Sequence, residues 1–211
     1  GGSSALGAKD DVMPAAWEEP WDILVGAEAQ LVGGAGGDNM FVYSYAHESG
    51  LTGTVSYVNA ADAVTDVSST SYGIEYTGME GLTVGYAQQD VEVTTNTKGD
   101  ESTMYAKYAI GGITVGIQMS EADFETGTDY ESTGIGISYQ VNDDLTVSYG
   151  AHEIEAVGSG NPDQETSALG VSYTMGSLSI GAAMHNGDNI TNSATDANQR
   201  EIYSLGLTFN F

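Results

Sequence analysis

The protein has 211 residues with 29 Gly, 13 Tyr, 4 Phe and no Cys, and its 30 Asp and Glu against 4 Lys and Arg give a formal net charge of -26. That balance excludes a nucleic-acid partner, because backbone binding needs clustered cations to displace counterions, and the lack of Cys excludes disulfides and thiolate metal centres. No run of about 18 uninterrupted apolar residues occurs, which excludes a transmembrane helix but not a span built from strands, whose alternating faces average out the hydropathy.

The chain opens Gly-Gly-Ser-Ser-Ala-Leu-Gly-Ala-Lys-Asp, without the basic start or apolar core of a signal peptide, and so reads as mature or cut. Residues 1–39 carry a concentration of carboxylates: Asp10, Asp11, Glu18, Glu19, Asp22 and Glu28. Pro14 and Pro20 limit regular structure around Met13 to Trp21, and Ala15 to Glu19 fits a brief helical turn between them. Trp17 and Trp21, four apart, are suited to anchoring this segment to a wall. From Met40 onward the pattern changes to period two, which is strand periodicity. Met40 to His47 is the first strand. The segments beginning at Leu51 (LTGTVSY), Leu82 (LTVGYAQ), Ile113 (ITVGIQM), Leu145 (LTVSYGA) and Leu178 (LSIGAAM) then recur at steps of 31, 31, 32 and 33 residues. Between them stand SYGIEY from Ser71, MYAKYAI from Met104, GIGISYQV from Gly134, ALGVSYTM from Ala168 and YSLGLTF from Tyr203.

Connections alternate in length. Glu48 to Gly50, Thr77 to Gly81, Gly111 and Gly112, Asn142 to Asp144, and Gly176 and Ser177 are short. Asn59 to Ser69, Asp90 to Ser102, Glu121 to Ser132, Glu153 to Thr166 and Asn186 to Arg200 are long and acidic. A soluble solenoid has no reason to alternate in this way, whereas strands running up and down across a membrane do. Parity sorts the faces. Leu51, Val55 and Tyr57 share one face, as do Tyr72, Ile74 and Tyr76, with Ser71, Gly73 and Glu75 opposite. The same parity directs Glu75, Tyr105, Lys107, Gln118, Gln140 and His152 inward. It turns Tyr76, Tyr86, Tyr108, Tyr139, Tyr149 and Tyr173 outward near the short turns, as an interfacial girdle requires. The last strand alternates to an aromatic end, with Tyr203, Leu205, Leu207, Phe209 and Phe211 on one face and Ser204, Gly206, Thr208 and Asn210 on the other. The expected fold class is all-β: a transmembrane antiparallel up-and-down β-barrel with eleven strands in this chain. Eleven is odd, where bacterial barrels close with an even number. Either a strand lies within Asp22 to Val32, or strands precede the first residue, and the second alternative is preferred.

These features resemble the general bacterial outer-membrane porins, in particular those of alphaproteobacteria. The resemblance rests on the hairpin series, on the final pattern Ser204, Gly206, Phe209, Phe211, which is similar to the signal read by the outer-membrane assembly machinery, and on the segment from Gly1 to Asp22. That segment resembles the inward-folded third loop, which in the family joins strands five and six of about sixteen. The chain would then be the carboxyl-terminal portion from that loop onward: 1–39 as constriction loop and 40–211 as barrel strands. The resemblance implies an outer-membrane location in a Gram-negative bacterium and a homotrimer. It also implies contact with membrane lipid and lipopolysaccharide, and passive diffusion of small hydrophilic solutes. The basic cluster that such porins place on their early strands is missing from this sequence.

A passive pore needs no nucleophile, and its selectivity follows from charge at the narrowest point. The six carboxylates of residues 1–39 are therefore the constriction candidates and a cation preference is expected, with Glu75, Tyr105, Lys107 and Gln118 on the pore wall. His47, His152 and His185 share no metal-ligand spacing and form no triad with a Ser, so no enzyme is expected. No cofactor is expected either, beyond calcium at oxygen-rich loops, for which Asp123, Asp129 and Asp188 are weak candidates. Two other readings stay open: a substrate-specific or plugged structural barrel, and a soluble calcium-binding β protein.

Overall fold

A computed structural model describes residues 2–9, 11–24, 26–27, 36–37, 39–59, 68–93, 97–193 and 199–209. Two short strands, β1 (Gly2–Ser3) and β2 (Gly36–Gly37), pair antiparallel with Gly2 opposite Gly37. The segment between them thus begins and ends at one place. Eleven further strands follow: β3 (Met40–Ala46), β4 (Leu51–Val58), β5 (Ser68–Met79), β6 (Leu82–Val93), β7 (Thr97–Ile110), β8 (Ile113–Phe124), β9 (Tyr130–Gln140), β10 (Leu145–Ala156), β11 (Gln164–Met175), β12 (Leu178–Asp188) and β13 (Arg200–Phe209). They form one antiparallel sheet in strict sequence order from β3 to β13, each strand bonded to its chain neighbours. The fold is therefore the up-and-down architecture, with β3 and β13 at the two edges.

The alternating side chains decide what each face meets. On β8, Ile113, Val115, Ile117 and Met119 are exposed on the outer face while Gln118 and Ser120 are buried on the inner one. The rise from Ile113 to Met119 is six steps, ~20 Å at ~3.3 Å per residue, close to the height of the apolar band on a bilayer-spanning barrel. Above Met119 the outer face turns to Glu121 and Asp123. Leu205 and Tyr203 on β13 are the most open of this belt, at 73% and 69% exposure. A water-soluble β protein does not carry an apolar surface of this extent, which removes the soluble calcium-binding reading.

At the short-turn edge each pair of neighbouring strands that is connected at the other end of the sheet sets a ring against an aliphatic side chain: Tyr76 opposite Leu51, Tyr108 opposite Leu82, Tyr139 opposite Ile113, Tyr173 opposite Leu145, and Phe209 opposite Leu178. This is the amphipathic row that headgroup depth favours. Tyr86 and Tyr149 depart from the expectation. They lie four residues in from the strand starts Leu82 and Leu145, inside the belt, because parity fixes a side chain's face but not its height. Gly111 and Gly176 hold φ at 58° and 63° in the two-residue turns after β7 and β11, a conformation that suits Gly and lets the hairpin close tightly.

The long acidic connections are shorter than their composition suggested. β6 runs to Val93 and β7 begins at Thr97, with Val93 opposite Thr97, so most of Asp90 to Ser102 is paired strand. Likewise β8 reaches Phe124, β10 reaches Ala156 and β12 reaches Asp188. A strand of 12 residues exceeds the 9–11 or so that cross a bilayer. The excess stands in water, where charged residues are compatible with the backbone ladder.

Candidate functional site

The described residues among 2–27 lie along the inward face of the sheet, tied to it from β4 to β13. The Ala5 N–H donates to Ser56 Oγ at 2.9 Å and Ser71 Oγ at 3.0 Å, and Ser4 Oγ donates to Gln89 Oε1 at 3.2 Å. Leu6 is fully buried against Ala87 and Ala122, with Phe124 and Tyr130 beside them. Lys9 Nζ sits 2.9 Å from Glu75 Oε2 and 3.3 Å from the Tyr105 hydroxyl, which itself donates to Glu75 Oε2. Lys107 approaches the same ring from another side, its Nζ 5.8 Å from the Tyr105 centroid. Gln118 Nε2 donates to the Lys9 carbonyl at 2.9 Å and to Thr103 Oγ1 at 2.9 Å. Glu75, Tyr105, Lys107 and Gln118 thus converge around Lys9, the one partner in this group that strand parity had no means of finding.

Met13 to Trp21 cross the strands where the wall is made of glycine. Gly116 and Gly136 face each other across β8 and β9, and Gly136 faces Gly150 on β10. A Cβ on Gly116 would lie 2.7 Å from Pro14 Cδ, and one on Gly150 2.9 Å from Pro20 Cγ. Gly181 and Gly206, opposite each other on β12 and β13, leave the space that the Trp17 indole fills; a Cβ on either would overlap its ring. The Ala16 N–H donates to Ser148 Oγ at 2.8 Å beside Gly170. Trp21 tilts against the buried His152, with ring centroids 4.6 Å apart. Leu24, Ala27 and Ile190 complete a small apolar cluster, and Gln164 Nε2 donates to the Ala27 carbonyl at 2.9 Å. The sequence signal for this trough was present: Gly recurs on the inward parity of β8 to β13. Read strand by strand, it passed for general Gly-richness.

Within this segment Ala15 to Glu19 do not form the expected helical turn. The turn follows instead, with the Leu24 N–H donating to Trp21 O at 3.0 Å and the Asp22 N–H to Glu19 O at 3.4 Å. Pro20 explains the displacement: it restricts Glu19 to an extended conformation and suits the first position after a cap. Asp22 Oδ2 accepts the Glu19 N–H at 2.7 Å, in the manner of a capping box.

That cap brings carboxylates together. Asp11, Glu19 and Asp22 place oxygens within 4.8 Å of one another, the only such group of three among the described residues. Burial first, and then the neighbouring Asp11 and Asp22, push the Glu19 carboxyl up to about 8. Glu18 does not join them; its Oε2 lies 3.4 Å from Nε2 of the fully buried His185, whose Nδ1 is 3.4 Å from the Pro20 carbonyl. Asp10, Glu28 and Phe211 fall outside the described residues. Ser204 and Gly206 face inward, Gly206 beneath the Trp17 indole, and Phe209 faces out. The calcium candidates do not assemble among the described residues. Asp123 and Asp188 are exposed, and Asp129 Oδ1 is engaged in accepting the Phe124 N–H at 2.9 Å, which closes its own loop.

A sheet apolar outside and polar inside, with an acidic segment docked on the inner wall, defines an outer-membrane β-barrel channel. The chain belongs to the Gram-negative porin family, whose profile matches residues 2–211, and this places it in the outer membrane. Porins are as a family channels, without a catalytic step. The whole chain superposes on 75% of a porin refined at 1.8 Å, with a TM-score of 0.75 and 15% identity. It also matches the trimer form of OmpT from Vibrio cholerae (TM-score 0.69, 14% identity, 99% of this chain and 74% of that one). A third match is the anion-selective porin from Comamonas acidovorans (TM-score 0.61, 17% identity, 82% and 58%). The chain therefore spans from 58% to 75% of the length of these solved porins. No curated protein matches it.

Proposed function

We propose that the protein is a passive diffusion porin for small hydrophilic solutes, of the alphaproteobacterial type and cation-preferring. In this reading 1–39 is the constriction loop and 40–211 is the carboxyl-terminal eleven of about sixteen strands. The observation that carries it is the acidic cap: Asp11, Glu19 and Asp22 are gathered on a segment fastened to the inner wall, where the path for solute runs. Fixed negative charge at a narrow point raises the local concentration of cations and repels anions. The strand count is supported by the two unpaired sheet edges and by the match to 75% of a complete porin. Docking of the loop against the wall favours an open channel over a plugged one.

A homotrimer is proposed by analogy with the trimer form of the Vibrio cholerae OmpT match. Membrane lipid and lipopolysaccharide would cover the apolar belt, and the terminal Ser204, Gly206, Phe209 and Phe211 would present the assembly signal. In planar bilayers under a salt gradient, the full-length protein is expected to conduct with a reversal potential on the cation side. The triple variant Asp11→Asn, Glu19→Gln, Asp22→Asn is expected to move that potential toward zero. Anion preference in the unaltered protein, as its Comamonas acidovorans structural match is described to have, would defeat the selectivity assignment.

A further inference from the structure

We infer that the bore of the channel is set by wall glycines: Gly116, Gly136, Gly150, Gly170, Gly181 and Gly206 form a recessed track that lets the acidic segment sink into the wall, and solute size selection depends on its depth. The inference rests on the reading of this protein as a diffusion porin.

Six inward positions on six consecutive strands lack side chains, and at each the nearest foreign atoms belong to the docked segment or to the hydroxyl that holds it. Pro14 lies over Gly116 and Gly136, with a Cβ on the latter 3.0 Å from Pro14 Cδ. Pro20 lies over Gly150. A Cβ on Gly170 would meet Ser148 Oγ at 2.8 Å, the atom that accepts the Ala16 N–H. The Trp17 indole fills the space over Gly181 and Gly206. None of these six needs Gly for its backbone, since none has a positive φ. Inside an ordinary strand a Gly weakens the ladder and packs nothing. A stepped row of them, Gly116, Gly136 and Gly150 directly opposite one another, then Gly170 displaced by two residues, then Gly181 opposite Gly206, is accounted for by close approach of another chain segment.

The occupants of the track are stiff. Two are prolines and one is Trp, so a methyl placed beneath them is not absorbed by a flexible side chain; the segment itself must rise toward the axis. The path narrows by the same displacement. Larger neutral solutes are then slowed more than smaller ones, independently of charge.

The test compares the full-length protein with Gly181→Ala and Gly116→Ala in planar bilayers and in liposome swelling with neutral mono- and disaccharides. Gly53→Ala serves as the control, because its Cβ would meet nothing within 4 Å. Each track variant is expected to lose roughly half of the conductance, as a narrowed cross-section requires, and to slow disaccharides more than monosaccharides; Gly53→Ala is expected to change neither. Adding Trp17→Ala to Gly181→Ala is expected to restore the bore, since the overlapping ring is gone. If Gly181→Ala does not assemble, Gly116→Ala, whose overlap is milder, gives the same comparison. Unchanged or increased conductance in an assembled track variant overturns the inference. An unaltered protein that forms no channel overturns instead the porin reading beneath it.

Discussion

Replacing Ile117 by Arg is expected to cost the folded barrel ~2–4 kcal/mol, the penalty for a cation facing lipid at mid-depth. Ile117 is exposed on β8 between Val115 and Met119, opposite Ala106 on β7 and Ile135 on β9, all on the outer face. Nothing in that setting pairs with a guanidinium, and the site lies too deep for the side chain to reach water easily. Ser138→Arg one strand over, on the inward face opposite Thr114 and Ser148, is the matched control and is expected to change stability little. Urea titration of both variants in lipid vesicles, followed by tryptophan fluorescence, measures the difference. Equal costs on the two faces would contradict the assignment of lipid to one of them.

The second large effect is electrostatic and follows the pH. Glu19 ionises near 8 in the docked segment, above the ordinary 4.5, because burial and the adjacent Asp11 and Asp22 disfavour its charge. Below about 4.5 the carboxyl is protonated whether the segment is docked or free, so docking is unpenalised there. As pH rises from about 4.5 to about 8 the free form is ionised while the docked form keeps its proton, so the stabilisation is lost progressively and is gone once the docked form ionises near 8. Two results are expected: the cation-to-anion permeability ratio climbs through a midpoint near pH 8, and the segment becomes progressively more accessible to protease from about pH 4.5 up to about pH 8. Glu19→Gln is expected to remove the step in both. A ratio flat from about pH 6 to pH 9 in the unaltered protein would contradict this assignment.

Much of the fold is written in alternation that a reader can count. Ile113, Val115, Ile117 and Met119 against Thr114, Gln118 and Ser120 is a period-two statement, and the sheet obeys it from β3 to β13. Strand height and strand end were not readable in the same way. Asp90 to Ser102 reads as loop because of its charge, yet the hydrogen-bond ladder between β6 and β7 continues into it as far as Val93 opposite Thr97. Those bonds join backbone atoms and leave no mark on composition. Tyr86 and Tyr149 were set too near the turns for a related reason, since parity carries no information about depth.

The site divides similarly. The sequence placed carboxylates in the first 39 residues, but only the cap around Pro20 decides that Glu19 and Asp22 meet Asp11 while Glu18 turns to His185. Lys9 joins Glu75 and Tyr105 across a separation in the chain that no local pattern encodes. The glycine track was visible as residues and invisible as a surface, because it exists only once six strands stand in register. Trp17 and Trp21 read from spacing alone as anchors to a wall; what the wall offers them, bare backbone for one and the His152 ring for the other, is a tertiary fact.

The central claim is that hydrocarbon covers one face of every strand and water the other. The chain contains no Cys, so single cysteines can be introduced one at a time along β11, from Leu169 to Met175, in the protein assembled in vesicles. Leu169, Val171, Tyr173 and Met175 positions should resist a water-soluble thiol reagent and be quenched by a lipid-borne probe, while Ser172 and Thr174 positions should do the reverse. Reactivity that fails to alternate, or alternates in the opposite phase, would contradict the account.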